Sequence, residues 1–272
     1  MRDLTRMGRC VGAWVSFAAL SLPAMAGDRR PDPATVVPLD QIAAGRRDDV
    51  AEVIRENTFS KRGDADTFPC HPRLYLALLN EPALTLALWQ DLSNSPAKLR
   101  QIGPNLYQGQ DGAGATATWE YVLRGPRMHV LYCDLEYKGP RGNAHLKGRI
   151  VMVVRTGYFK EVNGDPWVQH SVEAFVKIDT KGWRAMAATV RPILERVLED
   201  QVEEAGWFVS LMGRLVETYP DWAAQTTAKQ EHIPTLTRNQ FREVITQVRK
   251  PNASKGRPSI VDASATVTSG TR

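Results

Sequence analysis

"HSVEAFVKIDTKGWRAMAATVRPILERVLEDQ", residues 170–201, changes its hydrophobic period halfway through. Up to Ile178 the pattern alternates, with His170, Val172, Ala174, Val176 and Ile178 on one side and Gln169, Ser171, Glu173, Lys177 and Asp179 on the other. Successive side chains of a strand point to opposite faces, so this is a strand with one face on a core. Beyond Trp183 the apolar residues recur at helical spacing: Val190, Ile193, Leu194, Val197 and Leu198. A strand therefore turns at Asp179-Thr180-Lys181-Gly182 into a long helix. The stripe continues through Val202, Ala205, Phe208, Val209, Met212, Leu215 and Val216, with Pro220 as a stop. A helix over 190–218 would be about 42 Å long at about 1.5 Å per residue.

Upstream of this stretch lies a series of strand patterns. Over 115–123, Ala117, Trp119, Tyr121 and Leu123 alternate with Thr116, Thr118 and Glu120. The turn signal Gly125-Pro126 joins this strand to a second one over 128–137, where Leu131, Cys133 and Leu135 share a face. The run RIVMVVR, 149–155, is apolar throughout and reads as a central strand covered on both sides. Asn163-Gly164 turns the chain into the strand of 168–178. A weaker strand is expected near 99–107, which carries Gly103-Pro104.

The N-terminal half is helical in pattern. Leu74, Tyr75, Leu78 and Leu79 are followed by Leu84, Leu88, Trp89 and Leu92, and Pro82 divides them into two helices. Leu39, Ile42, Ala43, Val50, Val53 and Ile54 suggest a shorter helix before them. Residues 27–37 (GDRRPDPATVV) are rich in proline and charge and read as a flexible leader. After Trp222 the chain becomes rich in Thr, Ser and Lys, and 250–272 has no apolar period. The expected organisation is a secretory signal over 1–26, a leader with a short helix over 27–65, an α+β domain over 66–222, and a basic, largely disordered tail over 223–272.

The signal follows from Arg2, Arg6 and Arg9, the apolar run over 11–22, and Ala24-Met25-Ala26. That run is shorter than the roughly 20 residues that span a bilayer. Export with cleavage after Ala26, and no stable membrane span afterwards, is the expectation. Net charge is +5, but the signal carries +2 and 228–272 carries +5, which leaves −2 for 27–227. The folding body is not basic, so no nucleic-acid partner is expected. Cys70 and Cys133 survive processing. An exported setting permits a disulfide between them, and two buried free thiols are the alternative.

Helices, successive antiparallel hairpins and one long closing helix resemble, in that order, the START-like or helix-grip (SRPBCC-type) domains that bind lipids and polyketides. The resemblance covers 68–222. Its best local match is EAFVKIDTKGW, 173–183, similar to the last strand, D-x-K-G turn and helix start of eukaryotic START domains. It implies an antiparallel sheet gripping a long C-terminal helix, with an apolar ligand held between sheet and helix.

No H-E-x-x-H, C-x-x-C, G-x-S-x-G or G-x-x-x-x-G-K-[ST] motif occurs. The five histidines show no metal-ligand spacing, and neither metal nor cofactor is expected. Candidate ligand contacts are Trp119, Tyr121, Leu131, Leu135, His170, Val172, Phe208 and Gly213, all of which a plain packed core would also use. His170, on an apolar strand face, fits either a hydrogen-bonded core histidine or a ligand contact. Gly206, Ser210 and Gly213 form a small-residue row that serves close packing or leaves space for a ligand. The function expected is non-enzymatic binding or carriage of a hydrophobic molecule. The alternatives are an enzyme acting on such a molecule on the same scaffold, or a ligand-free envelope interaction module.

Overall fold

The computed structural model of the protein describes residues 31–112, 114–138, 145–178, 206–250, 254 and 256–258. Three short elements come first: α1 (Pro33–Val36), a 3-10 turn (Leu39–Gln41) and α2 (Ala44–Arg55). Strands β1 (Phe59–Arg62) and β2 (Asp66–Pro69) precede helices α3 (Pro72–Asn80) and α4 (Pro82–Leu92). Six strands follow: β3 (Lys98–Gly103), β4 (Leu106–Gln110), β5 (Ala115–Arg124), β6 (Met128–Lys138), β7 (His145–Lys160) and β8 (Pro166–Ile178). Helix α5 is described over 206–218, and α6 (Pro220–Ala228) and α7 (Thr235–Val248) close the described chain. The expected turn at 179–182 and the helix over 190–205 lie outside the described residues. No helix among the described residues is long and apolar enough to cross a membrane.

All strands join one antiparallel sheet in the order β1-β8-β7-β6-β5-β4-β3, with β2 also on β8. β1 and β2 occupy successive lengths of β8: Phe59 faces Val176, and Asp66 faces His170. The β5–β6 hairpin expected around Gly125-Pro126 sets Trp119 opposite Cys133 and Tyr121 opposite Leu131. Its register shifts between Tyr121 and Leu123, so Arg124 falls opposite His129. The weak strand of 99–107 is in fact two, β3 and β4, turning through Asn105 in the left-handed region at φ 59°.

The central run of β7 shows why the sheet needs two covers. Val151 and Val153 point to an outer face, where they pack with Val122, Val130, Tyr132 and Phe175 beneath Val50, Val53 and Ile54 of α2. Ile150, Met152 and Val154 point to the inner face, which carries α3, α4, α5, α6 and α7. α2 is sewn to the sheet by charge as well. Glu52 accepts from Arg149 at 3.0 and 3.2 Å and from Lys177, and Arg46 donates to Glu120 at 2.9 Å. These cations hold the Glu52 carboxyl near 2, well below its ordinary range.

Both expected boundaries move outward. The leader of 27–65 contains α1, α2 and β1, with Val36, Val37 and Ile42 buried in the outer core. The tail of 223–272 contains most of α6 and all of α7, whose Phe241 and Ile245 are buried in the inner core. Phe241, Val244, Ile245 and Val248 are spaced as one helical face, an amphipathic stripe carried on a polar composition. The α+β domain therefore extends well beyond 66–222.

Phe241→Ala is expected to destabilise the protein by about 3–5 kcal/mol in denaturant unfolding, as for other large buried side chains. A loss under about 1 kcal/mol would show that α7 is dispensable to the core. Glu52→Gln should cost less than about 1 kcal/mol at neutral pH, because half-exposed pairs are screened. The carboxylate is held below its unfolded value, so this difference is present above pH 4.5 and vanishes as pH falls through about 2.

Candidate functional site

The two faces of the sheet differ in how well they are sealed. On the outer face Val130, Tyr132, Val151, Val153 and Phe175 are buried. On the inner face Trp119, Leu131, Cys133, Leu135, Ile150 and Met152 are only half-buried. Cross-strand register makes these six contiguous: Trp119 faces Cys133, Cys133 faces Ile150, and Leu131 faces Met152. They form an apolar strip bordered by the buried Tyr121, Val154, Val172 and Ala174.

Of the candidate contacts, Leu131 and Leu135 lie on this strip outright. Trp119 lies at its edge with its ring laid over β4, where a Cβ on Gly109 would come within 2.9 Å of it. It stacks on Tyr107 with ring centres 6.2 Å apart. Tyr121 is 5% exposed, and its hydroxyl donates to the Leu79 carbonyl at 2.7 Å, which ties the end of α3 to β5. Phe208 of α5 stands edge-on to Trp89 of α4. Val172 lies under Gly206, where an added Cβ would sit at 3.5 Å, an ordinary contact.

Two expectations need correction. At Gly213 an added Cβ would come within 3.2 Å of both Cys70 Sγ and Phe68 Cε2, so the helix packs solidly there and leaves no ligand space. Cys70 and Cys133 are both free thiols. The sheet explains why they do not pair. Cys70 follows β2, which pairs with β8, whereas Cys133 is on β6, and β8 and β7 intervene. Three strand spacings of about 4.8 Å far exceed the roughly 7 Å Cα separation that a disulfide tolerates.

His170 is tied into a buried polar cluster. Its Nδ1 lies 3.1 Å from Tyr75 Oη, which is also 3.1 Å from Thr156 Oγ1. Phe68 meets the imidazole edge-on. Burial pushes the ring down to about 4, only partly offset by Asp66. His129, hydrogen-bonded to Asn80 Oδ1 at 3.0 Å, is also pushed down to about 4, by burial and by the charge of Arg124. Burial raises the Cys133 thiol to about 12 and keeps Cys70 and Tyr75 protonated as well. Near pH 7 the thiols and the phenol are therefore protonated, not activated nucleophiles, and the imidazoles are neutral. Among the described residues no three His, Cys, Asp or Glu side chains are grouped to hold a metal ion. Sequence reasoning passed over Tyr75, Tyr107 and Arg124, whose placement depends on helix-to-sheet docking and on the β5 register shift.

No family model and no curated protein matches the chain. Solved structures do. A conserved protein from Geobacillus kaustophilus is 14% identical, covers 57% of this chain and 96% of its own, and gives a TM-score of 0.40. A START superfamily protein from Mycobacterium smegmatis is 9% identical over 54% of this chain and 98% of its own, with a TM-score of 0.29. The di-domain ARO/CYC protein BexL from the BE-7585A biosynthetic pathway is 14% identical over 67% and 61%, with a TM-score of 0.37. The chain's own topology, an antiparallel sheet of eight strands with helices on both faces, is an α+β fold, and START-like structures are among those it is similar to. The likeness is one of fold and extends to neither ligand nor activity.

Gly213→Leu should destabilise the protein by about 1–3 kcal/mol through overpacking against Phe68 and Cys70. An unchanged unfolding midpoint would mean that the helix stands off the sheet. Both histidines are depressed from an ordinary 6.5 to about 4, so the unfolded chain takes up protons that the fold refuses. Stability is then complete above pH 6.5 and declines toward pH 4, with each histidine contributing up to about 1.4 kcal/mol per pH unit. Unfolding titrations in which His129→Gln and His170→Gln leave that slope unaltered would show that neither ring is held below its ordinary value by the fold.

Proposed function

We propose that the protein is exported and carries a hydrophobic molecule against the inner face of its sheet, without transforming it. The observation that supports this reading is the apolar strip of Leu131, Cys133, Leu135, Ile150 and Met152, half-buried where the opposite face of the same strands, Val130, Tyr132, Val151 and Val153, is buried. A contiguous strip of partly exposed apolar side chains on one sheet face is a surface that an apolar ligand would cover. The protonated Cys133 thiol on the strip is not an activated nucleophile, in keeping with carriage. Export rests on the tripartite segment before Gly27.

The neutral dye Nile red tests the strip. Wild-type protein should bind it with enhanced, blue-shifted emission, and Leu131→Glu should weaken that binding at least tenfold while the thermal transition persists. A wild-type protein that leaves the dye unchanged, or a variant that binds it equally well, refutes carriage on this face. N-terminal sequencing of the protein recovered outside the cytoplasm should begin at Gly27. Recovery of the chain with residues 1–26 intact would refute cleavage.

A further inference from the structure

The apolar strip has an end. Along β6 the inner-face residues run Leu135, Cys133, Leu131 and His129, and their partners on β5 are Ala117, Trp119, Tyr121 and Arg124. One cross-strand pair beyond Tyr121 and Leu131, the strip therefore terminates on a guanidinium. The register shift between Tyr121 and Leu123 puts it there. Without that shift, strand alternation would send Arg124 to the outer face.

The guanidinium is held but not satisfied. Its Cζ lies 4.1 Å over the Tyr121 ring, and Nη2 donates to Tyr107 Oη at 3.2 Å. Tyr107 and Tyr121 are themselves buried and meet edge to face, so the arginine rests on a fixed aromatic floor. Its Nε is buried without an acceptor, and so is Nε1 of Trp119, the ring stacked on the other side of Tyr107. Among the described residues no carboxylate forms an ion pair with Arg124. Glu81, at the junction of α3 and α4, feels its charge: burial raises that carboxyl above its ordinary value and Arg124 lowers it in part. The neighbouring His129 is neutral, so Arg124 supplies the positive charge at this end of the strip. Buried donors without acceptors are few in native proteins, and each costs about 1–3 kcal/mol. A half-buried guanidinium whose Nε is buried and unfilled, at the end of an apolar track, fits a ligand that brings its own anion.

We propose that Arg124 binds the carboxylate of a fatty-acid-like ligand whose apolar chain lies along the β6 strip. This assignment rests on the reading of the strip as the carrying face. It commits the ligand to an amphipathic monocarboxylate. Neutral sterols, esters and alcohols lack the anion that the site requires, and the single guanidinium matches a single negative charge.

Fluorescence titration of the mature protein with cis-parinaric acid and with its methyl ester, at about pH 8 where the acid is ionised, tests the assignment. The acid should bind at least about tenfold more tightly than the ester, the effect of one charge-assisted contact. Arg124→Gln should bring the two affinities within about twofold of each other by weakening the acid alone. Should Arg124→Gln fail to fold, the wild-type comparison still decides. Equal wild-type affinities for acid and ester overturn the carboxylate site while leaving carriage intact. A preference for the acid that persists in folded Arg124→Gln overturns the role of this residue. A wild-type protein that takes up neither probe overturns the site together with the carrying face beneath it.

Discussion

β7 cannot be left bare on either side. Val151 and Val153 project from one face of the strand and Ile150, Met152 and Val154 from the other, so water must be excluded from both. An apolar face contributes about 25 cal/mol per Å² only if something covers it. That requirement recruits α2 to the outer face and the α3–α7 group to the inner one. It also places β7 in the middle of the sheet, where β6 and β8 satisfy its backbone on both edges. Edge strands go to segments with less apolar content, such as β3, whose side chains are mostly exposed.

The legible parts of this fold are those with strong local periodicity. The β5–β6 hairpin, the two-sided strand at 149–155 and the proline-divided helices α3 and α4 all follow from spacing and from proline chemistry. What eluded the sequence was pairing at long range. β1 and β2 are four residues each, too short for alternation to register, and they exist because β8 offers them an unpaired edge. α7 was hidden for another reason: its apolar stripe is spread over a polar segment, and only docking on α3 and the inner core gives that stripe meaning. Of the ligand face, the strand residues Leu131 and Leu135 could be named from alternation. Arg124 could not, because a single register shift reverses the face to which it belongs.

The inner face combines two kinds of polar group that differ in what they lack. Tyr75, Thr156 and His170 bond to one another, and this cluster anchors α3 to the end of the sheet. The polar groups around β5 are less complete: Tyr121 is bonded to Leu79, yet Arg124 Nε and Trp119 Nε1 have no acceptor. Desolvation costs both ends of the face alike. The first recovers more of that cost, since Nδ1 of His170 is bonded and only its Nε2 lacks a partner, whereas around β5 both Arg124 Nε and Trp119 Nε1 lack acceptors.

The basic C-terminal region has a use inside the molecule. Arg249 makes a two-pronged pair with Asp221 of α6 at 2.6 and 2.8 Å, and Lys250 lies 2.9 Å from Glu217 of α5. Further on, the Ser254 amide donates to the Thr218 carbonyl, and Arg257 pairs with Asp91 of α4, the same carboxylate that accepts from Trp222. Each exposed pair contributes little by itself. Together they lay the chain back over the three helices that cover the inner face, with carboxylates of a body whose own charge is −2 as their partners. The net positive charge of the protein is therefore partly the counter-charge of its own helical cover, and overall basicity is a poor guide to what the protein binds. The cation that bears on binding is one the charge count does not distinguish, Arg124, set apart by its place one cross-strand pair beyond Leu131 at the end of the apolar strip.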